Sequence, residues 1–141
     1  MGIKKLSYVV FLLILPISCN AEKHPFKSAG EEVLFKNFTL SICLGMAYKD
    51  TSKKFTNQTS LAANGYREYS HISLEAYDEA RSLAKKWLKK NYESKRGGQI
   101  NLMKCIDLYN HSELQHIFLK YNPCKSPDSW LDRNEFNKSC K

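Results

Sequence analysis

An all-α fold is what this chain predicts: a compact single-domain bundle of about four to five helices, stabilised by two disulfides. Apolar residues recur at helical spacing through most of its length. No run alternates apolar and polar residues for long enough to make a useful strand. Beyond the amino-terminal leader the cysteines are even in number, Cys43, Cys105, Cys124 and Cys140, as a disulfide framework requires.

The leader is read first because it decides which residues need to fold. Lys4 and Lys5 form a positive start, Tyr8 to Leu15 is an unbroken apolar run, Pro16 interrupts it, and Ser18-Cys19-Asn20-Ala21 supplies small residues for cleavage. This is the pattern of a secretory signal peptide over 1–21, too short and wrongly flanked to span a bilayer. Cleavage is expected before Glu22. The alternative is a lipoprotein with Cys19 lipidated, against which Pro16 stands where a lipobox prefers Leu. The domain is then 22–141, with a core over 31–121 and a disulfide-closed tail over 122–141.

Losing Lys4 and Lys5 reduces 22 basic residues to 20, against 14 acidic, a net of +6. A basic exported domain points to an acidic or anionic partner, and export argues against nucleic acid. Four cysteines allow three pairings. Cys43–Cys105 is favoured because both lie within helices and can staple them. Cys124–Cys140 is favoured because it closes a short polar tail, where a loop of that size contributes roughly 3 kcal/mol. No CxxC occurs and the spacings are wide, so no metal is expected.

The first helix begins at Glu31, where Glu31 and Glu32 suit the positive end of the helix dipole. Val33, Leu34, Phe35, Phe38, Ile42, Cys43, Met46 and Ala47 cover so wide a stripe that this helix should be central and nearly surrounded. Tyr48 to Gln58 is polar and reads as a loop, with a short helix around Thr59 to Tyr69 weakened by Gly65. Ser73 is a good N-cap, and Ile72 with Tyr77 can form a hydrophobic staple. Leu74, Tyr77, Ala80, Ala84, Trp87 and Leu88 then recur at helical spacing, with acids at the start and Lys85, Lys86, Lys89 and Lys90 at the end, matching the dipole. Asn91 to Gly98 stops this helix. Another runs from Gln99 to Asn110 with Leu102, Cys105, Ile106 and Tyr109 on one face. Ser112 and Gln115 form a capping box for a last short helix carrying Leu114, Ile117, Phe118 and Tyr121, which Pro123 ends. Trp130 and Phe136 are the anchors expected in the tail.

Catalysis finds no footing in these residues. A nucleophile needs a base held by a third group, and the cysteines are committed to disulfides. His24, His71, His111 and His116 are scattered, and His111 and His116 are five apart, off one helical face. Glu75, Asp78 and Glu79 fit dipole compensation rather than a carboxylate site. No GxSxG, HExxH, EF-hand loop, P-loop or dinucleotide fingerprint occurs. The chain reads as a binding protein, not an enzyme, without cofactors. Ser94-Lys95-Arg96-Gly97-Gly98-Gln99 then becomes the candidate site. Two adjacent glycines between strong helices are costly in backbone entropy unless the loop needs their freedom, and a basic, side-chain-poor loop suits insertion into another molecule's groove. A rival reading uses the run Lys85-Lys86-Trp87-Leu88-Lys89-Lys90 on anionic envelope components, as an exported or lipid-anchored helical binding module.

The ordered series Phe35-Lys36-Asn37-Phe38, Cys43-Leu44-Gly45-Met46-Ala47-Tyr48, Ala62-Ala63-Asn64-Gly65-Tyr66, Leu74-Glu75-Ala76-Tyr77, Ala84-Lys85-Lys86-Trp87-Leu88, Tyr92 with Ser94-Lys95 and Gly97-Gly98, and Met103-Lys104-Cys105-Ile106-Asp107-Leu108-Tyr109 resembles a known family. It is similar to the immunity proteins for the fourth family of type VI secretion amidase effectors, over roughly Phe35 to Tyr121. The resemblance implies a periplasmic, helical, disulfide-stabilised homodimer without stable membrane insertion. Its partner would be a cognate papain-like amidase that cuts the peptide stems of peptidoglycan, blocked by a protruding loop in its cleft. Onto this chain that role falls on Ser94, Lys95, Arg96, Gly97, Gly98 and Gln99. Arg96 and Gln99 depart from the small and acidic residues of that family, which bears on partner specificity.

Overall fold

A computed structural model describes residues 24–125 and 132–140. The leader with Cys19, its cleavage junction and Trp130 lie outside the described residues. A 3-10 turn at Pro25–Ser28 leads into α1 (Glu31–Ala47), followed by α2 (Lys53–Glu68), α3 (Leu74–Leu88), α4 (Asn101–Asn110) and α5 (Ser112–Tyr121). A second 3-10 turn, Pro123–Lys125, and the short α6 (Arg133–Ser139) complete the order. Among the described residues there is no strand, only an isolated antiparallel bridge between Glu93 and Gln99.

The wide apolar stripe of α1 puts it at the centre, packed against α2, α3, α4 and α5. Phe35, Phe38, Thr39 and Cys43 are wholly buried, and Phe38 meets Tyr77 of α3 edge-on at 4.5 Å between ring centres. Buried hydroxyls on α1 turn back on their own helix: Thr39 Oγ1 donates to the Phe35 carbonyl at 2.9 Å and Ser41 Oγ to that of Asn37 at 2.8 Å. Val33 departs from the stripe and is 46% exposed.

The polar stretch after α1 is not the loop expected over Tyr48 to Gln58. Only 48–52 connect the helices, and Lys53–Gln58 form the first turns of α2. Ser52 is extended and its side chain accepts from the Phe55 amide at 3.3 Å, an N-cap bond. α2 buries only Thr59 and Ala63 within its own span, so it carries almost no apolar signal. It reaches α1 through a notch. A Cβ on Gly45 would stand 2.7 Å from Thr59 Oγ1.

α3 follows its pattern, with Ala76, Tyr77, Ala80, Leu83, Ala84 and Trp87 buried. Ile72 and Tyr77 are both buried. Two details differ. Ser73 takes the N-cap position but makes no side-chain cap bond. Leu74 is 67% exposed. The face of α4 also differs: Lys104, Cys105 and Leu108 are buried, while Leu102 and Ile106 are nearly half exposed. The helix starts at Asn101, not Gln99, and its rotation is set by the bond from Cys105 to Cys43, with Cα atoms 5.7 Å apart. The cap of α5 falls one residue earlier than the Ser112 box. His111 is the N-cap and its Nδ1 accepts from the Glu113 amide at 3.1 Å. Cys124 and Cys140 are joined, Cα atoms 5.3 Å apart, and Phe136 is half-buried.

Candidate functional site: the loop between α3 and α4

The chain leaves α3 at Leu88 and re-enters helix at Asn101, and between them it makes a hairpin-like stalk with a turn on top. The stalk closes where the Ile100 amide donates to the Tyr92 carbonyl at 2.8 Å. Next to it Gln99 turns its side chain inward, its Nε2 donating to Asn91 Oδ1 at 2.7 Å while its Oε1 accepts from the Tyr92 amide at 3.2 Å. Above this the Ser94 amide donates to the Gly98 carbonyl at 3.0 Å and the Gly97 amide to the Ser94 carbonyl at 2.9 Å. Ser94 Oγ accepts from the Arg96 amide at 3.2 Å. The loop is thus built from its own hydrogen bonds.

Both glycines have φ of +85°, the only positive values among the described residues. That is the reason for glycine here, since an L side chain is strained in this region. A Cβ at either position would meet nothing within 4 Å, so open space surrounds both glycines. Lys95, Arg96, Gly97 and Gly98 are exposed, and neither Lys95 nor Arg96 has an ion pair among the described residues. The structure therefore brings the six predicted loop residues together and divides them. Lys95 to Gly98 form the tip, Ser94 organises the turn, and Gln99 belongs to the stalk.

The base of the loop is held by residues that the motif did not single out. The Asp107 carboxylate of α4 holds the Tyr92 hydroxyl above the ordinary phenol pKa. Lys104 Nζ donates to the Leu88 carbonyl, the last of α3, at 3.1 Å. The sequence does carry a trace of Lys104: a lysine in the first turn of a helix opposes that helix's own dipole.

Residues 33–118 match the family described as type VI secretion system (T6SS) amidase immunity protein. The chain belongs to that family. Solved structures similar to it include a chain of the effector–immunity system Tae4/Tai4 from Salmonella typhimurium, at 29% identity and a TM-score of 0.65. That likeness covers 72% of this chain and 98% of the other. A chain of the Tae4–Tai4 complex from Enterobacter cloacae aligns at 19% identity and a TM-score of 0.58, covering 64% of this chain and 91% of that one. One from a Serratia marcescens structure of type VI-secreted toxins and self-resistance proteins aligns at 24% and 0.61, covering 68% and 77%. These two show the fold. A search of curated proteins gave no match.

In this immunity-family chain the other candidate chemistry is spent on structure. His71 Nδ1 lies 2.8 Å from Glu31, and His111 caps α5 and packs on Trp87 at 4.8 Å between rings. Within the basic run, Trp87 is buried, Lys86 pairs with Glu113 at 2.8 Å and Lys90 Nζ lies 3.1 Å above the Trp87 ring. Among the described residues no three His, Cys, Asp or Glu side chains group as a metal site, and no helix is long and apolar enough to cross a membrane.

Proposed function

We propose that this chain is a periplasmic immunity protein that binds a cognate type VI peptidoglycan amidase and inhibits it by inserting Ser94–Gln99 into the active-site cleft. The observation that carries the reading is the prebuilt double-glycine loop on a chain of the amidase immunity family. A cleft that cuts peptides accepts extended backbone. Gly97 and Gly98 let the main chain approach without a Cβ between it and a catalytic thiol. A loop already closed by its own hydrogen bonds loses little ordering entropy on binding. The leader 1–21 delivers the chain to the compartment where the amidase acts, and the working unit is a homodimer.

The test is a titration of the amidase encoded beside this gene, acting on peptidoglycan, with residues 22–141. Stoichiometric inhibition is expected. Replacing Gly97 and Gly98 together by valine should weaken it by about a hundredfold, roughly 3 kcal/mol of binding; because both positions have φ of +85° the change also strains the tip, so the variant's melting and helical spectrum are read beside its inhibition. Inhibition that survives this change sinks loop insertion; the absence of any complex sinks the immunity reading itself.

A further inference from the structure

We infer that Lys104 and Asp107 are positioning residues for the α3–α4 loop: Lys104 fixes the end of α3 from which the loop leaves, and Asp107 fixes its stalk. The inference takes its binding consequence from the loop-insertion reading above, but its structural content stands without it.

Lys104 is the anomaly that leads here. It is 2% exposed, and lysines are almost never so buried unless paired. No carboxylate pairs with it among the described residues. Its Nζ donates instead to the carbonyl of Leu88, the last residue of α3, at 3.1 Å. The terminal carbonyls of a helix have no partner within it and form the negative end of its dipole, so a cation is favoured there. For its own helix the placement is wrong, since Lys104 is the fourth residue of α4 and sits near that helix's positive end. The side chain thus serves the helix across the loop rather than the one that carries it. One strut, buried from water, ties the exit of α3 to the first turn of α4.

The second strut stands three residues on, near the same face of α4. The Tyr92 carbonyl is the acceptor that closes the stalk through Ile100, and the Asp107 carboxylate acts on the hydroxyl of the same residue, holding it above the ordinary phenol pKa. Holding Tyr92 from α4 therefore holds the stalk's closing bond. Cys105, bonded to Cys43 of the central helix, lies between the two struts in sequence, so both act from a part of α4 that is itself anchored. The tip residues Lys95 to Gly98 are exposed, so the direction of the tip depends on this base.

The experiment is residue-resolved amide hydrogen exchange on residues 22–141, compared for wild type, Lys104→Met, Lys104→Arg, Asp107→Asn and Tyr92→Phe, alongside inhibition of the amidase. In Lys104→Met the amides of Ser94, Gly97 and Ile100 should exchange about tenfold faster while those of α1 are unchanged, because local opening is read separately from global unfolding. Inhibition should weaken about tenfold, mainly through faster dissociation. Lys104→Arg keeps a donor near the Leu88 carbonyl and should restore protection. Asp107→Asn and Tyr92→Phe alter only the exposed strut, so they fold whatever becomes of the buried one, and should speed Ile100 exchange. Wild-type exchange at all three amides in Lys104→Met and Asp107→Asn overturns the inference, as does Lys104→Arg exchanging as fast as Lys104→Met. Faster loop exchange with undiminished inhibition leaves the positioning intact and removes loop insertion.

Discussion

Glu31, the first residue of α1, holds the corner that turns the chain into α3. Its carboxylate accepts from the Ser70 hydroxyl at 2.7 Å and the His71 amide at 3.0 Å, and lies 2.8 Å from His71 Nδ1. The residue is 3% exposed, so these partners stand in for the water it gave up. Glu31→Ala should lower unfolding stability by about 3 kcal/mol, since it removes the buried acceptor that Ser70 and His71 share. Glu31→Gln, which keeps one acceptor oxygen, should cost less. Urea denaturation reads both; a wild-type midpoint for Glu31→Ala would show the corner to be held by something else.

Gly45 and Thr59 mark the closest approach of α1 and α2. The Thr59 hydroxyl already donates to the Thr56 carbonyl at 2.9 Å, so it cannot rotate away without losing that bond. Gly45→Ala gains helix propensity of about 1 kcal/mol but meets Thr59 at 2.7 Å. Overpacking costs about 1–3 kcal/mol, so a net loss of about 1 kcal/mol is expected. Adding Thr59→Ala should recover it. A double-mutant cycle measures the coupling, and additive effects would mean that the two residues do not meet.

The Cys43–Cys105 bond spans 62 residues. Closing a loop of that length contributes about 4 kcal/mol in the chain-entropy model. The double change to serine should lower the denaturation midpoint accordingly, and reductant should do the same to wild type but not to the double variant. Equal sensitivity of both proteins to reductant would assign the effect to Cys124–Cys140 instead.

Acid should weaken the α3–α5 contact in a definite direction. Lys120 first, and then the Tyr121 hydroxyl, hold the Glu79 carboxyl below its ordinary pKa, at 2.6 and 2.7 Å. Lys86 does the same for Glu113. A carboxyl depressed in the folded state adds stability above its unfolded value, near pH 4.3. That stability is lost as pH falls through the folded value. Glu79→Gln should therefore melt below wild type near neutrality and converge with it in strong acid. Parallel melting curves from pH 6 to 2 would contradict the assignment.

How much of this was legible depends on where each cue resides. α3 was readable because its cues are local and agree: Ala80, Ala84 and Trp87 on one stripe, acids at one end, lysines at the other. α2 was hidden because its buried side is made of Thr59 and Ala63, and the feature that seats it, Gly45, lies on another helix. The face of α4 was misplaced because Leu102 and Ile106 look like core in isolation, whereas the bonds from Cys105 to Cys43 and from Lys104 to Leu88 settle its rotation across the chain. At the loop, Gly97 and Gly98 announced themselves through their backbone freedom. The supports, Asn91 with Gln99 and Tyr92 with Asp107, are pairings between separated residues that no spacing rule reveals.

The cysteine pairing carries a consequence for how the molecule is made. Among Cys43, Cys105, Cys124 and Cys140 the thiols are joined in the order in which the chain presents them, Cys43 with Cys105 and then Cys124 with Cys140. A polypeptide emerging amino end first into an oxidising compartment offers Cys43 its native partner before any competitor follows. On the proposed export route, oxidation in step with translocation therefore favours the native bonds over the crossed pairs.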